Sequence, residues 1–117
     1  MIQVSPHMRI MVAVKPVDLR KGIDGLAALV RDYFRMDPMN GTVFVFTNRT
    51  RSLLRLLFYD SQGFWICTKR LSESRWPWWP KGDGREAIVT PLSAHEMQIL
   101  LWGGSPEGVD IIKPWRR

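Results

Sequence analysis

Residues that could carry out catalysis or hold a metal are few and scattered along this sequence. The histidines are His7 and His95, and neither stands at a ligand spacing from a second ligand type. Cys67 is the one cysteine, so the chain has too few thiols for a cysteine-based metal site or an internal disulfide. Neither a Ser/His/Asp pattern nor a glycine-rich phosphate loop occurs. We therefore predict a protein that is not an enzyme and that uses no cofactor and no metal.

Two carboxylates, Asp18 and Asp24, stand six residues apart and would be one way to hold Mg²⁺ in a nuclease. Asp18 is interpreted better as the N-cap of a helix, because its short carboxylate accepts hydrogen bonds from free backbone N–H groups. Asp24 is then a solvent-facing residue of that helix. The metal interpretation is the weaker of the two.

The cations form the most distinctive group of side chains. The chain of 117 residues has 17 Lys and Arg against 11 Asp and Glu, a net charge of +6. Between residues 49 and 85 there are eight basic side chains and three acidic ones. Twelve of the 17 cations are arginine, which makes bidentate contacts with phosphates and base edges. This distribution indicates a polyanionic partner such as DNA, and the alternative is a soluble protein that simply has a basic pI.

Candidate phosphate-binding residues lie in a helix, a turn and two strands: Arg20, Lys21, Arg49, Arg51, Arg55, Lys69, Arg70 and Arg75. We place the first two in the first turn of the predicted helix, where backbone N–H groups also favour phosphate. The turn 48–51 is exposed under any strand pairing.

Strand register decides which of the remaining cations share a face. If Tyr59 pairs with Phe64, Arg55 lies opposite Thr68 and Leu53 opposite Arg70. A shift of one residue brings Arg55 opposite Lys69 instead and exchanges the two faces. The sequence leaves both registers open.

Three tryptophans stand within four residues, at Trp76, Trp78 and Trp79. One interpretation is an exposed aromatic loop that stacks on bases or anchors a protein partner. The other, which we favour, is a proline-stiffened loop whose indoles fold back over the open end of the sheet. A mixed outcome, with one indole buried and another exposed, is also consistent with the pattern.

The elements that must position these residues indicate an α+β fold in one domain over residues 1–117. We predict helices near residues 18–36 and 93–102, the second opened by the capping box that begins at Ser93. Gly22 and Gly25 lie within the predicted first helix, where glycine is less favourable than alanine. Two explanations are close approach of another backbone and a helix that starts near Gly22. The predicted strands form an antiparallel meander of three to five strands and cover residues 8–15, 42–47, 53–59, 64–71 and 87–89. No segment is long and apolar enough for a membrane span, and we expect a cytoplasmic protein.

Several motifs resemble one family of mobile-element proteins. Residues 18–26 read Asp-Leu-Arg-Lys-Gly-Ile-Asp-Gly-Leu and resemble the signature of the TnpB-type (Orf2-like) accessory proteins of the insertion sequence sixty-six family. The likeness continues through residues 44–49, 59–64 and 69–78 in the same order. It departs at Ser72 and Ser74, where the family commonly has Glu and Gly, and in a tryptophan loop that is one residue longer.

The resemblance implies an accessory protein for transposition of a bacterial insertion sequence, with catalysis left to a DDE transposase. Two modes of action stay open. In the first, the protein binds DNA at the element ends through the candidate cations. In the second, it is an adaptor that docks on the transposase through Trp76, Trp78 and Trp79. The first is our main prediction.

Overall fold

A computed structural model describes residues 7–72, 75–82 and 87–103 of the chain. Along these residues the elements are β1 (Ile10–Ala13), α1 (Ile23–Asp32), β2 (Val43–Thr47), β3 (Leu53–Tyr59), β4 (Phe64–Arg70), β5 (Val89–Leu92) and α2 (Ala94–Leu101). The predicted α+β class is confirmed. The remaining parts of the predicted domain, at 1–6, 73–74, 83–86 and 104–117, lie outside the described residues.

The five strands form one sheet in the order β4-β3-β2-β1-β5. The predicted meander is present, since β2, β3 and β4 pair antiparallel in succession. The sheet is mixed rather than wholly antiparallel, because β1 and β2 run parallel, with α1 as the crossover between them. The strand expected at 87–89 begins at Val89, extends to Leu92 and pairs antiparallel with β1.

Each face of the sheet is covered by one helix. On the α1 face, Phe44, Phe46 and Leu57 pack in one cluster with Leu26 and Val30 of the helix. The α2 face is a second cluster of buried side chains: Val43, Val45, Leu54, Leu56, Trp76, Trp79, Met97 and Leu100. All five residues of β2 are buried, as expected for a central strand that is covered on both faces.

The first helix begins later than the residues 18–36 expected from its apolar stripe. Its N-cap is Gly22, which has no side chain to cap it, and Asp18 caps no helix. Residues 18–21 form a turn instead, in which the Lys21 N–H donates to the Asp18 carbonyl. A Cβ at Gly25 would lie 2.9 Å from the Cβ of Lys21, so glycine there lets the turn lie against the helix. Of the two explanations considered for the glycines, the helix start near Gly22 is the one observed, and the close neighbour at Gly25 is the Lys21 side chain rather than another backbone.

The second helix follows the prediction. The hydroxyl of Ser93 accepts from the Glu96 N–H and the carboxylate of Glu96 accepts from the Ser93 N–H, both at 3.1 Å. These are the reciprocal bonds of a capping box. Met97 and Leu100 face the sheet and are buried. Within the described residues, neither helix is long and apolar enough to cross a bilayer.

Candidate nucleic-acid interface

A cleft of about 600 Å³ lies at the carboxyl ends of the parallel strands β1 and β2. The segment after β1 forms one wall and the turn after β2 forms the other, and the Val17 N–H donates to the Thr47 carbonyl between them. The carboxyl ends of parallel strands are where open sheets commonly bind ligands. The cleft has apolar and polar lining residues: Pro16, Val17, Asp18, Leu19, Arg20, Asn48, Arg49, Thr50 and Leu53.

The turn that carries Arg49 is organised by Asn48. The Asn48 side-chain oxygen accepts from the backbone N–H groups of Ser52 at 3.0 Å and Leu53 at 3.1 Å. Arg51 closes the turn with a φ of 56°, in the left-handed region. Arg49 is therefore presented, exposed, by a turn with its own hydrogen bonds. Our sequence reasoning missed Asn48 and its neighbour Thr50 as lining residues, although asparagine at the start of a turn was the available signal.

Arg20 is held in place by Asp18. Its Nε donates to one carboxylate oxygen and its Nη2 to the other, both at 3.0 Å. The hydrogen bonds from Arg20 lower the pKa of Asp18 to about 2, and Asp18 raises the pKa of Arg20. The side chain of Arg20 is 92% exposed, but the neighbouring carboxylate offsets its charge. Arg49, in contrast, forms no ion pair with any described residue.

Arg55 fastens one wall of the cleft to the sheet. The register that pairs Tyr59 with Phe64 is the one observed, so Arg55 lies opposite Thr68. Its Nε donates to the Thr68 hydroxyl at 3.0 Å, and its Nη1 donates to the carbonyl of Leu19 in the segment before α1. These bonds give half-buried Arg55 a positioning role.

Arg70 stands beside the cleft at the end of β4. It pairs in register with Leu53, a cleft residue, and it lies two residues from Thr68, on the same face of the sheet. Its side chain is exposed. Arg20 and Arg49 therefore line the cleft, and Arg70 lies opposite the cleft residue Leu53 on the neighbouring strand.

The other candidate cations are arranged differently. Lys69 lies on the α2 face, where its ammonium donates to the Leu101 carbonyl and burial lowers its pKa. Lys21 is exposed, but it precedes α1, so the expectation that Arg20 and Lys21 lie in the first helical turn is wrong. Arg51 and Arg75 are not among the residues that line the cleft, and the Arg51 carbonyl accepts from the Trp76 N–H.

The tryptophan loop packs mostly inward. Trp76 and Trp79 are 1% and 3% exposed. Their indole N–H groups donate to the carbonyls of Leu100 at 2.7 Å and Ala13 at 2.9 Å. Trp78 is half-buried. Buried indoles with satisfied donors offer no surface to a partner, so a role in docking stays a prediction for Trp78 alone.

The described residues contain no group of three or more His, Cys, Asp or Glu side chains that could hold a metal ion. What the cleft does offer is an exposed arginine without an ion pair, a second arginine held by a carboxylate, and turn hydroxyl and amide groups above apolar side chains. Side chains and backbone groups of these kinds are the ones that contact phosphate and sugar in protein–DNA complexes.

Comparisons with known proteins find similar sequences along most of this chain. The sequence model of the "IS66 Orf2 like protein" family matches residues 8–110. Two uncharacterized proteins of Sinorhizobium fredii, y4hO and y4jC, are 33% and 37% identical over 103 residues. Each alignment covers 88% of this chain and 86% or 85% of the relative. No solved structure matches the chain significantly.

Proposed function

Because the chain belongs to the IS66 Orf2-like family, we propose that it acts as an accessory protein in transposition of a bacterial insertion sequence by binding DNA without catalysing the reaction. The family itself suggests the accessory role. The contact with DNA is our addition, and we assign it to the cleft formed by the segment before α1 and the turn after β2.

One observation supports this assignment above the others: Arg49 is exposed, forms no ion pair with a described residue, and lines a cleft at the carboxyl ends of two parallel strands. An arginine in that state keeps all of its donors for a phosphate. Arg70 pairs in register with the cleft residue Leu53 and adds positive charge beside the cleft. Arg20 is paired with Asp18, and Arg55 holds the cleft wall in place. The overall charge of +6 favours association with a polyanion.

Fluorescence anisotropy tests the proposal directly. The purified protein is titrated into a labelled duplex that carries the terminal repeat of its element, and into a scrambled duplex, across a salt series. Contacts with about five phosphates give a slope of log affinity against log salt concentration of about −4.5. A preference for the terminal repeat makes the protein an end-recognition factor. Absence of binding at low salt contradicts the proposal.

A second candidate function rests on Trp78. This half-buried residue lines a shallow concavity of about 340 Å³ together with Lys81, Pro91 and Glu96. An indole at the rim of a concavity is a suitable anchor for a protein partner, here the DDE transposase. Affinity capture of the transposase by the wild type and by Trp78→Ala decides this: equal capture removes Trp78 from any interface. Such a contact is nearly independent of salt, unlike the DNA contact.

A further inference from the structure

The two edges of the sheet differ in their ability to accept another strand. At one edge, β5 contains Pro91, which has no N–H to donate, and residues 78–82 border the same strand. At the other edge, β4 runs for seven residues without a proline or glycine, and it pairs with no described strand besides β3. Long edges of this kind accept further strands unless charge or shape prevents it.

Hydrogen bonding defines which groups of β4 are free. The Leu71 N–H donates to the Ser52 carbonyl, and the Asp60 N–H donates to the Gly63 carbonyl. In an antiparallel ladder these bonds recur at every second residue pair, so the backbone groups of Trp65, Cys67 and Lys69 face β3. Those of Phe64, Ile66, Thr68 and Arg70 therefore point away from the sheet.

We propose that a second copy of this chain occupies the β4 edge, so that the two β4 strands pair antiparallel about a two-fold axis at Cys67. This register uses all seven residues of each strand. It places the outward groups of Phe64 against those of the partner's Arg70, and the outward groups of Ile66 against those of the partner's Thr68. Cys67 faces the partner's Cys67 in a non-hydrogen-bonded pair, whose Cα atoms lie about 4.5 Å apart.

Charge complementarity identifies the second copy as the occupant. One end of β4 is aromatic, with Phe64 and Trp65, and the other end is cationic, with Lys69 and Arg70. Antiparallel pairing of two copies sets each cationic end beside an aromatic end and opposes no like charges. Cation–aromatic pairs of this kind are attractive.

The side chains at this edge are arranged to admit a neighbour. Lys69 directs its ammonium to the Leu101 carbonyl at the end of α2, so its side chain is held over the α2 face instead of extending past the edge. Trp65 is 52% exposed, yet its indole is fixed by a 2.6 Å hydrogen bond to Asp60 and by stacking on Phe58. A rigid, half-exposed indole loses little conformational entropy when a partner covers it.

Oxidative cross-linking tests the register. The wild type is oxidised at low protein concentration, and the control is Cys67→Ser combined with Gln62→Cys, which moves the thiol to the exposed tip of the same hairpin. We expect a disulfide-linked dimer from the wild type, because Cα atoms about 4.5 Å apart can be bridged by a disulfide. Equal cross-linking of the control, or none in the wild type, overturns the proposed register.

Light scattering over a concentration series tests the edge itself. We expect a wild-type mass of twice 13.6 kDa. Thr68→Pro removes an outward N–H and should give the monomer, whereas Thr68→Ala loses the same hydroxyl but keeps the N–H and should stay a dimer. Circular dichroism checks whether both variants fold. If Thr68→Pro does not fold, the cross-linking experiment decides between the outcomes. A monomeric wild type at every concentration, or a dimeric and folded Thr68→Pro, contradicts the proposal, which does not depend on DNA binding.

Discussion

The two faces of the sheet use their most distinctive side chains in opposite ways. On the α2 face, Trp76 and Trp79 are buried and their N–H groups are bound to backbone carbonyls. On the α1 face, Arg49 and Arg70 stay exposed beside a cleft. These two tryptophans lie three residues apart in one loop and belong to the core, whereas the cations at and beside the cleft come from three separate segments. Crowding of one residue type along the chain therefore indicates packing here, and the candidate binding surface exists only through the fold.

Removing a buried indole should have the largest effect. Trp76→Ala leaves a large cavity between the sheet and α2, and it removes the indole N–H that donates to the Leu100 carbonyl. We expect a loss of about 3–5 kcal/mol in the free energy of unfolding, measured by chemical denaturation. Trp102→Ala is the matched control, because this tryptophan is 71% exposed and its removal should cost less than about 0.5 kcal/mol. Similar losses in the two variants would remove the distinction between core and surface tryptophans.

Arg55 links the stability of the α1 face to the shape of the cleft. Arg55→Ala removes the donors to the Thr68 hydroxyl and the Leu19 carbonyl. We expect a loss of about 1–2 kcal/mol by thermal denaturation, since hydrogen bonds from a charged donor to accessible acceptors contribute about that much. Arg55→Lys keeps the positive charge but lacks the planar guanidinium group and its several N–H donors. A similar loss in that variant would show that the effect comes from the geometry of these hydrogen bonds and not from the charge. An unchanged melt in both variants would contradict the positioning role.

Removal of the capping box of α2, on the other face of the sheet, should have a smaller effect on stability. Ser93→Ala removes the acceptor for the Glu96 N–H. The expected cost is about 1 kcal/mol in the free energy of unfolding. Ser72→Ala, at an exposed position outside any helix, serves as the control and should melt like the wild type. DNA affinity should be the same in both, because α2 lies on the face away from the cleft.

The ion pair of Asp18 with Arg20 predicts a pH response that is confined to acid. Hydrogen bonds from Arg20 lower the pKa of Asp18 from 3.8 to about 2, so the pair is intact at pH 3.8 and separates as the pH falls through about 2. An NMR titration of the Asp18 carboxyl carbon measures this, and in Arg20→Ala the value should return toward 3.8. An unchanged Asp18 titration in that variant would mean that Arg20 is not the cause.

The sequence predicted local features well wherever one segment decides them. The capping box at Ser93, the turn at Asn48–Arg51 and the three strands that follow Gly41 depend on neighbouring residues, and the structure has all of them. The start of α1 predicted at residue 18 was wrong, because Asp18 pairs with Arg20 instead of capping the helix, whereas the alternative start near Gly22 is the one observed. Side-chain pairs of this kind do not show in hydrophobic periodicity.

The long-range arrangement of the strands was harder to predict from the sequence. The parallel pairing of β1 with β2 depends on the direction in which α1 returns the chain, which no motif in either strand specifies. The register of the β3–β4 hairpin was left open because both pairings satisfy the sequence pattern. The observed register places Lys69 on the α2 face and Arg70 on the face beside the cleft. The set of candidate cations could thus be named from sequence, but its division between the faces could not.

The most direct test of the DNA-binding account compares two single arginine variants in the anisotropy assay. Arg49→Ala removes the unpaired cation of the cleft, while Arg31→Ala removes one positive charge from the last turn of α1, outside the cleft, where Arg31 is paired with Asp32. If Arg49 binds a phosphate, Arg49→Ala should weaken binding and reduce the salt slope by about 0.9, and Arg31→Ala should leave that slope unchanged. Equal effects of the two substitutions would show that only net charge matters and would contradict a binding site in the cleft.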